Sequence, residues 1–303
     1  MLLLTGFCCK KFGIVTDAMI NGVNKFIILI AYPCLILART VSLEMNNAVF
    51  TNFLMTIFIN FGLLILFGVI MHFIYRLRRY SHDDAPVSEF ATMSPNNGFM
   101  GFPIAFTFFG DIGLLYMVAS NIALNTMFFT YGLGLMNRGR NERKESFLKK
   151  LVRFLSLIAN PKVSCAIVGV VLCYNHIMLP GIVMDYLELV GAVATPLAMI
   201  SIGTLLSGEF GLKSFVTPKV IEPTLYKLFL VPAITMLIVS FLPLDPIVKT
   251  ILVVGNAMPV ATTVAILTEQ HNRNKGYAGE LLAVSTILSI ITVSLWITWV
   301  PFG

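Results

Sequence analysis

Long apolar runs alternate with short polar connections from one end of the chain to the other. A helix needs about 20 apolar residues to cross roughly 30 Å of hydrocarbon. Runs of that kind fall near residues 20–39, 49–75, 112–136, 154–174, 186–207, 223–242 and 277–299. Two more, near 88–110 and 246–268, are interrupted by Ser94-Pro95-Asn96-Asn97-Gly98 and by Asn256-Ala257-Met258-Pro259. Residues 1–9 read as half a span ending at Lys10-Lys11, so the pattern predicts nine and a half crossings with an incomplete first span.

The interruptions carry the functional signal. A helix broken within the membrane frees backbone N–H and C=O groups that lipid cannot satisfy, so such breaks persist only where they line protein or a water-filled cavity. Two of them at corresponding places in two halves predict a transporter. The correspondence extends along the chain. Tyr32-Pro33-Cys34-Leu35 aligns with Thr195-Pro196-Leu197-Ala198 at an offset of 163, Pro95 with Pro259 at 164, and Val118-Ala119-Ser120-Asn121 with Ala283-Val284-Ser285-Thr286 at 165. Three anchors in one order at nearly one spacing describe an internal repeat.

Each copy holds five spans, and an odd number inverts the second copy relative to the first. The expected fold is therefore all-α and integral to the membrane, a ten-span inverted 5+5 repeat with broken fourth and ninth helices. Residues 1–136 form the first repeat, 137–153 a basic loop and 154–303 the inverted second repeat. Projecting 154–174 back by one repeat predicts about ten further apolar residues ahead of Met1.

Composition agrees, with 57% of residues hydrophobic and 12% charged. The formal net charge of +6 could suggest nucleic acid, but the basic residues mark topology. Lys10, Lys11, Arg76, Arg78, Arg79, the run Arg138 to Arg153, Lys213, Lys219, Arg273 and Lys275 occupy every second connection, which places those connections in the cytoplasm. Connections around Glu44, Asp111, Asp185 and Asp245 carry almost no Lys or Arg and, with the C-terminus, are expected outside the cell membrane. The first nine residues precede their basic pair, the reverse of a cleavable signal.

Cys8, Cys9, Cys34, Cys165 and Cys173 lack metal-ligand spacing, so neither a metal nor a cofactor is expected. His72, His82, His176 and His271 are isolated at span ends or in loops, and no nucleophile–base pair falls on one layer, which argues against an enzyme. No Asp or Glu is expected near the middle of a span, which weakens a proton- or sodium-relay reading.

Half-helices restarting after Pro95 and Pro259 would present free N–H groups and partial positive charge to a carboxylate, with no need for a buried Lys or Arg. Asn96, Asn97 and Asn256 could add amide donors, and the Thr262 and Thr263 hydroxyls lie within about a turn of Pro259. The plainer reading is that Pro and Asn only kink the spans. Asn121 and Asn125, spaced i, i+4, share a face that either lines the cavity or bonds a neighbouring helix.

Taken together, Pro95-Asn96-Asn97-Gly98-Phe99-Met100-Gly101-Phe102-Pro103, Asn160-Pro161, and Ala257-Met258-Pro259 with Glu269-Gln270 resemble the auxin efflux carrier family over essentially the whole chain. The form is the short-loop bacterial one, related to malate and malonate carriers. The resemblance implies that the fourth and ninth spans cross at Pro95 and Pro259 and that an organic anion binds beside the crossing. It matches Asn96 to a substrate-contacting asparagine and Asn160 to a second polar position of that site. It departs from the plant exporters at Asn97 and Lys162, and the short loop 137–153 replaces their long one, which argues against auxin itself. The expected function is secondary transport of a small carboxylate. A sodium-coupled symporter of the related bile-acid type and a non-transporting membrane sensor are the alternatives. The expected partners are that carboxylate, the lipid bilayer and, as an open choice, a second copy in a homodimer, with nucleic acid excluded.

Overall fold

The computed structural model describes residues 1–78, 80–138, 160–206 and 217–300. The basic loop beyond Arg138 and the opening of the 154–174 run lie outside the described residues. Among the described residues every regular element is helical, and the one extended pairing is an isolated bridge between Pro95 and Val260.

The helices follow the apolar runs. They are α1 (Leu2–Lys11), α2 (Asp17–Val41), α3 (Asn47–Leu77), α4 (Asp84–Met93), α5 (Phe102–Met127), α6 (Pro161–Tyr174), α7 (Gly181–Ala192), α8 (Ala194–Leu206), α9 (Pro218–Ser240), α10 (Pro246–Ala257), α11 (Thr262–Gln270) and α12 (Lys275–Trp299). Six stretches are long and apolar enough to cross a membrane: Asp17–Val41, Asn47–Leu77, Asn97–Met136, Gly181–Thr204, Pro218–Ser240 and Lys275–Trp299. The two interrupted runs appear as α4 followed by α5, and as α10 followed by α11. The boundary expected near Asp111 is a turn at Gly110, whose φ of +64° favours glycine.

Proline shapes the interior of the spans. Five-residue wide turns at Ile27–Ala31, Asn97–Gly101 and Tyr226–Leu230 each end two residues before a proline, at Pro33, Pro103 and Pro232. Proline has no N–H to give the carbonyl four residues back and its ring clashes with that carbonyl, so the helix widens ahead of it. The stranded carbonyls then need other donors, since hydrocarbon offers none. The Tyr32 hydroxyl donates to Phe99 O at 3.4 Å, serving Pro103. Trp296 Nε1 donates to Leu228 O at 2.8 Å, serving Pro232. The Tyr277 hydroxyl donates to Lys219 O at 2.7 Å, serving Pro223.

The chain separates into two compact units, each drawing on both halves of the sequence. The first contains the described parts of 1–55, 98–119 and 154–208, the second those of 56–97, 120–153 and 209–303. In the first unit, glycines let helix backbones meet. A Cβ on Gly6 of α1 would strike the Ile200 carbonyl of α8, and one on Gly203 would strike the Leu3 carbonyl. Small residues at such contacts are what close helix packing in a membrane requires. The second unit is built on one large core that includes Leu64, Phe67, Met71, Phe90, Met127, Val260, Leu281 and Val284.

Candidate functional site

Residues 94–97 of the first interruption and all of the second lie in the second unit, where they pair with each other. Helix α4 stops at Met93 and α10 at Ala257, and the short extended segments beyond them run antiparallel. Asn96 N–H donates to Pro259 O at 2.8 Å, and Ala261 N–H donates to Ser94 O at 2.9 Å. These two bonds flank the facing residues Pro95 and Val260. At that position of a ladder the backbone N–H groups point away from the partner, so a proline there sacrifices no bond. The Val260 N–H points outward and reaches Ser285 Oγ at 3.1 Å. The residue opposite Pro95 is thus Val260, one beyond Pro259, because the Pro259 carbonyl is occupied by Asn96.

The neighbouring asparagines have different partners. Asn97 Nδ2 donates to Ser120 Oγ at 3.2 Å. Asn256 Nδ2 donates to Asn60 Oδ1 and to Leu252 O, each at 2.9 Å, and Asn60 Nδ2 donates to Ser120 O at 2.9 Å. The Lys227 ammonium donates to Asn256 O at 3.0 Å. This network ties α3, α5, α9 and α10 to the break, and its side chains are almost wholly buried. Ser94 Oγ, Asn97 Oδ1 and Asn256 Oδ1 are buried without a donor among the described residues.

Asn96 differs from these. It is 5% exposed, its backbone N–H is used, and its carboxamide has no hydrogen-bond partner among the described residues. Thr262 and Thr263 open α11 half-buried, and the N-cap Ala261 supplies no side-chain acceptor there. A free carboxamide and an uncapped helix start therefore lie on either side of one two-bond ladder. Both are groups that donate hydrogen bonds to an anion.

Asn121 and Asn125 bond to each other, Asn125 Nδ2 donating to Asn121 Oδ1 at 2.9 Å within one helix, rather than across to a neighbouring helix. Asn160 belongs to the first unit, where its Oδ1 accepts from the Lys162 N–H at 3.1 Å and caps α6.

Two sequence expectations need correction, and a buried carboxylate near a span end is new. Lysines are buried in the spans: Lys227 is 0% and Lys162 9% exposed. A carboxylate is buried too, Glu89 of α4, which accepts from Arg138 Nη1 at 2.8 Å and from the Tyr131 hydroxyl. His72 is not isolated, since its Nδ1 stands 3.4 Å from Glu89 Oε2. Lys227 could have been noticed as a lone charge within the 223–242 run, and Glu89 as one just inside the 88–110 run.

Comparison with known proteins places this arrangement. A family model described as membrane transport protein matches residues 1–297, and the chain belongs to that family, the auxin efflux carriers. An uncharacterized transporter of Methanocaldococcus jannaschii is 23% identical over 299 residues, covering 98% of this chain and 94% of its own length. One of Methanothermobacter thermautotrophicus is 25% identical over 297 residues, with the same coverage. The uncharacterized transporter YfdV of Escherichia coli is 25% identical over 228 residues, covering 74% of this chain and 70% of its own. The chain is a multi-pass membrane transporter and not an enzyme.

Proposed function

We propose that this member of the auxin efflux carrier family is a secondary carrier of a small organic carboxylate, working by alternating access in the cell membrane. The observation that carries the reading is Asn96. The residue is 5% exposed, its carboxamide has no protein partner among the described residues, and it stands beside the paired interruptions, which leaves its hydrogen bonds for another molecule. The substrate sits at the Pro95 and Val260 pairing, held by Asn96, the start of α11 and the Thr262 and Thr263 hydroxyls. The paired interruptions, spaced as the three sequence anchors are, support the ten-span inverted plan, with basic connections cytoplasmic and the C-terminus outside.

Uptake into proteoliposomes of acetate, benzoate, malonate and succinate tests the function. Transport of none of them would remove the carboxylate reading. Orientation is tested separately with single cysteines at Arg140 and Asp245 in a cysteine-free background. An impermeant thiol reagent should reach them from opposite sides.

A second reading has an observation of its own. Ser94 Oγ, Asn97 Oδ1 and Asn256 Oδ1 are buried acceptors without donors among the described residues, and oxygen sets of this kind suit a hard cation. Sodium coupling of the bile-acid type would then make uptake sodium-dependent. Binding without uptake would instead indicate a non-transporting sensor.

A further inference from the structure

We propose that Lys162 is the charged contact that selects an anion for this carrier. This rests on the carboxylate-carrier reading and is argued from residues of the first unit alone. Lys162 lies in the first turn of the 14-residue helix α6 and is 9% exposed. No carboxylate forms an ion pair with it and no acceptor takes its ammonium hydrogens among the described residues.

Its neighbours are few. Nζ stands 5.6 Å from the centroid of the Phe102 ring, and that ring meets Tyr32 edge-on at 5.2 Å. A Cβ added to Gly98 would lie 3.1 Å from Nζ, so glycine at that position leaves the ammonium its room. Gly98 directly follows Pro95-Asn96-Asn97 in the chain.

The electrostatics are one-sided. A helix N-terminus already carries partial positive charge, and a buried ammonium at the same end adds to it. The ring's attraction for a cation is the weaker term against the loss of water around the ammonium. Acidic residues of the same unit are engaged elsewhere or stand apart: Asp17 pairs with Lys10 and Asp111 with Arg39. A buried charge left without a counter-charge by the protein is completed by one from outside, here a carboxylate. Asn160 has a positioning role, because its side chain caps the Lys162 N–H and fixes the backbone from which the ammonium projects. The polar role that the resemblance assigns to Asn160 thus passes two residues on, to a side chain with a full charge.

The test uses the full chain purified in detergent, with acetate, benzoate, malonate and succinate as probes and their neutral amides as controls. Thermal stabilisation by each probe gives a half-saturating concentration, and proteoliposome uptake of the same panel is measured alongside. For Lys162→Met that concentration should rise about tenfold to a hundredfold for carboxylates, as expected for losing one charged hydrogen bond. The amide controls should not change, and Lys162→Arg should stay within several-fold of the native chain. Native-like carboxylate affinity in a folded Lys162→Met overturns the assignment and leaves the carrier reading standing. Absence of stabilisation of the native chain by any carboxylate also overturns it. Carboxylate binding that depends on Lys162 without any uptake upholds the assignment and removes the carrier reading.

Discussion

Two lysines buried in apolar helices have opposite surroundings. Lys227 gives its ammonium to the Asn256 carbonyl, inside a network that continues through Asn60 and Ser120 to Asn97. Lys162 has an aromatic ring and a glycine beside it and no acceptor among the described residues. The same contrast divides adjacent asparagines, because Asn97 is spent on Ser120 while the Asn96 carboxamide is unspent. Burial alone therefore does not mark a binding residue in this protein. A full account of each group's partners separates the side chains that hold the fold from those left for a ligand.

The strongest way to break this contrast is Lys227→Ala. It removes a buried donor and leaves a cavity, so the unfolding free energy in detergent should fall by about 2–5 kcal/mol. Lys162→Met should change it by less than about 1 kcal/mol, since no protein partner is stranded. Equal losses at the two positions would erase the distinction.

Asn96 and Asn97 give the next test. Asn96→Ala should weaken carboxylate binding by about 1.5–3 kcal/mol, roughly tenfold to a hundredfold, with the melting temperature nearly unchanged. Asn97→Ala should instead lower stability by about 1–3 kcal/mol. A folded Asn96→Ala protein with native affinity and rate would reduce the break to a kink.

Away from the break, Trp296→Phe keeps most of the packing and deprives Leu228 O of its donor. A loss of about 1–3 kcal/mol in thermal unfolding is expected. The smallest effect should belong to Asn125→Ala, which removes a pair within one helix turn and should cost about 0.2–0.5 kcal/mol.

Much of the helical layout was legible because span length is a local property of the chain, as at 49–75, observed as α3 from Asn47 to Leu77. The interruptions were legible because Pro-Asn and Met-Pro cannot continue an apolar helix unnoticed. Two things were hidden. One was the partner of each polar side chain: Asn60 meets Asn256 from a distant part of the sequence, and no periodicity records that. The other was the buried charge. Lys162 stands inside the 154–174 run and shows in the sequence only as a departure from the plant exporters, and Lys227 is a single charge in a run apolar enough to span despite it. The wide turns were within reach, since three of them precede a proline by the same two residues.

Those prolines have a consequence for redesign and for drift in sequence. Pro103 with Tyr32, Pro223 with Tyr277 and Pro232 with Trp296 are each a debt and its creditor, one ring withholding an N–H and another supplying a substitute. Replacing Pro232 by alanine would return a donor to Leu228 O, whose two lone pairs can take that N–H and the Trp296 indole together, while replacing Trp296 first would strand the carbonyl. Only the second order passes through an unpaired polar group away from water. The ring donors should therefore resist exchange until the prolines they serve are gone.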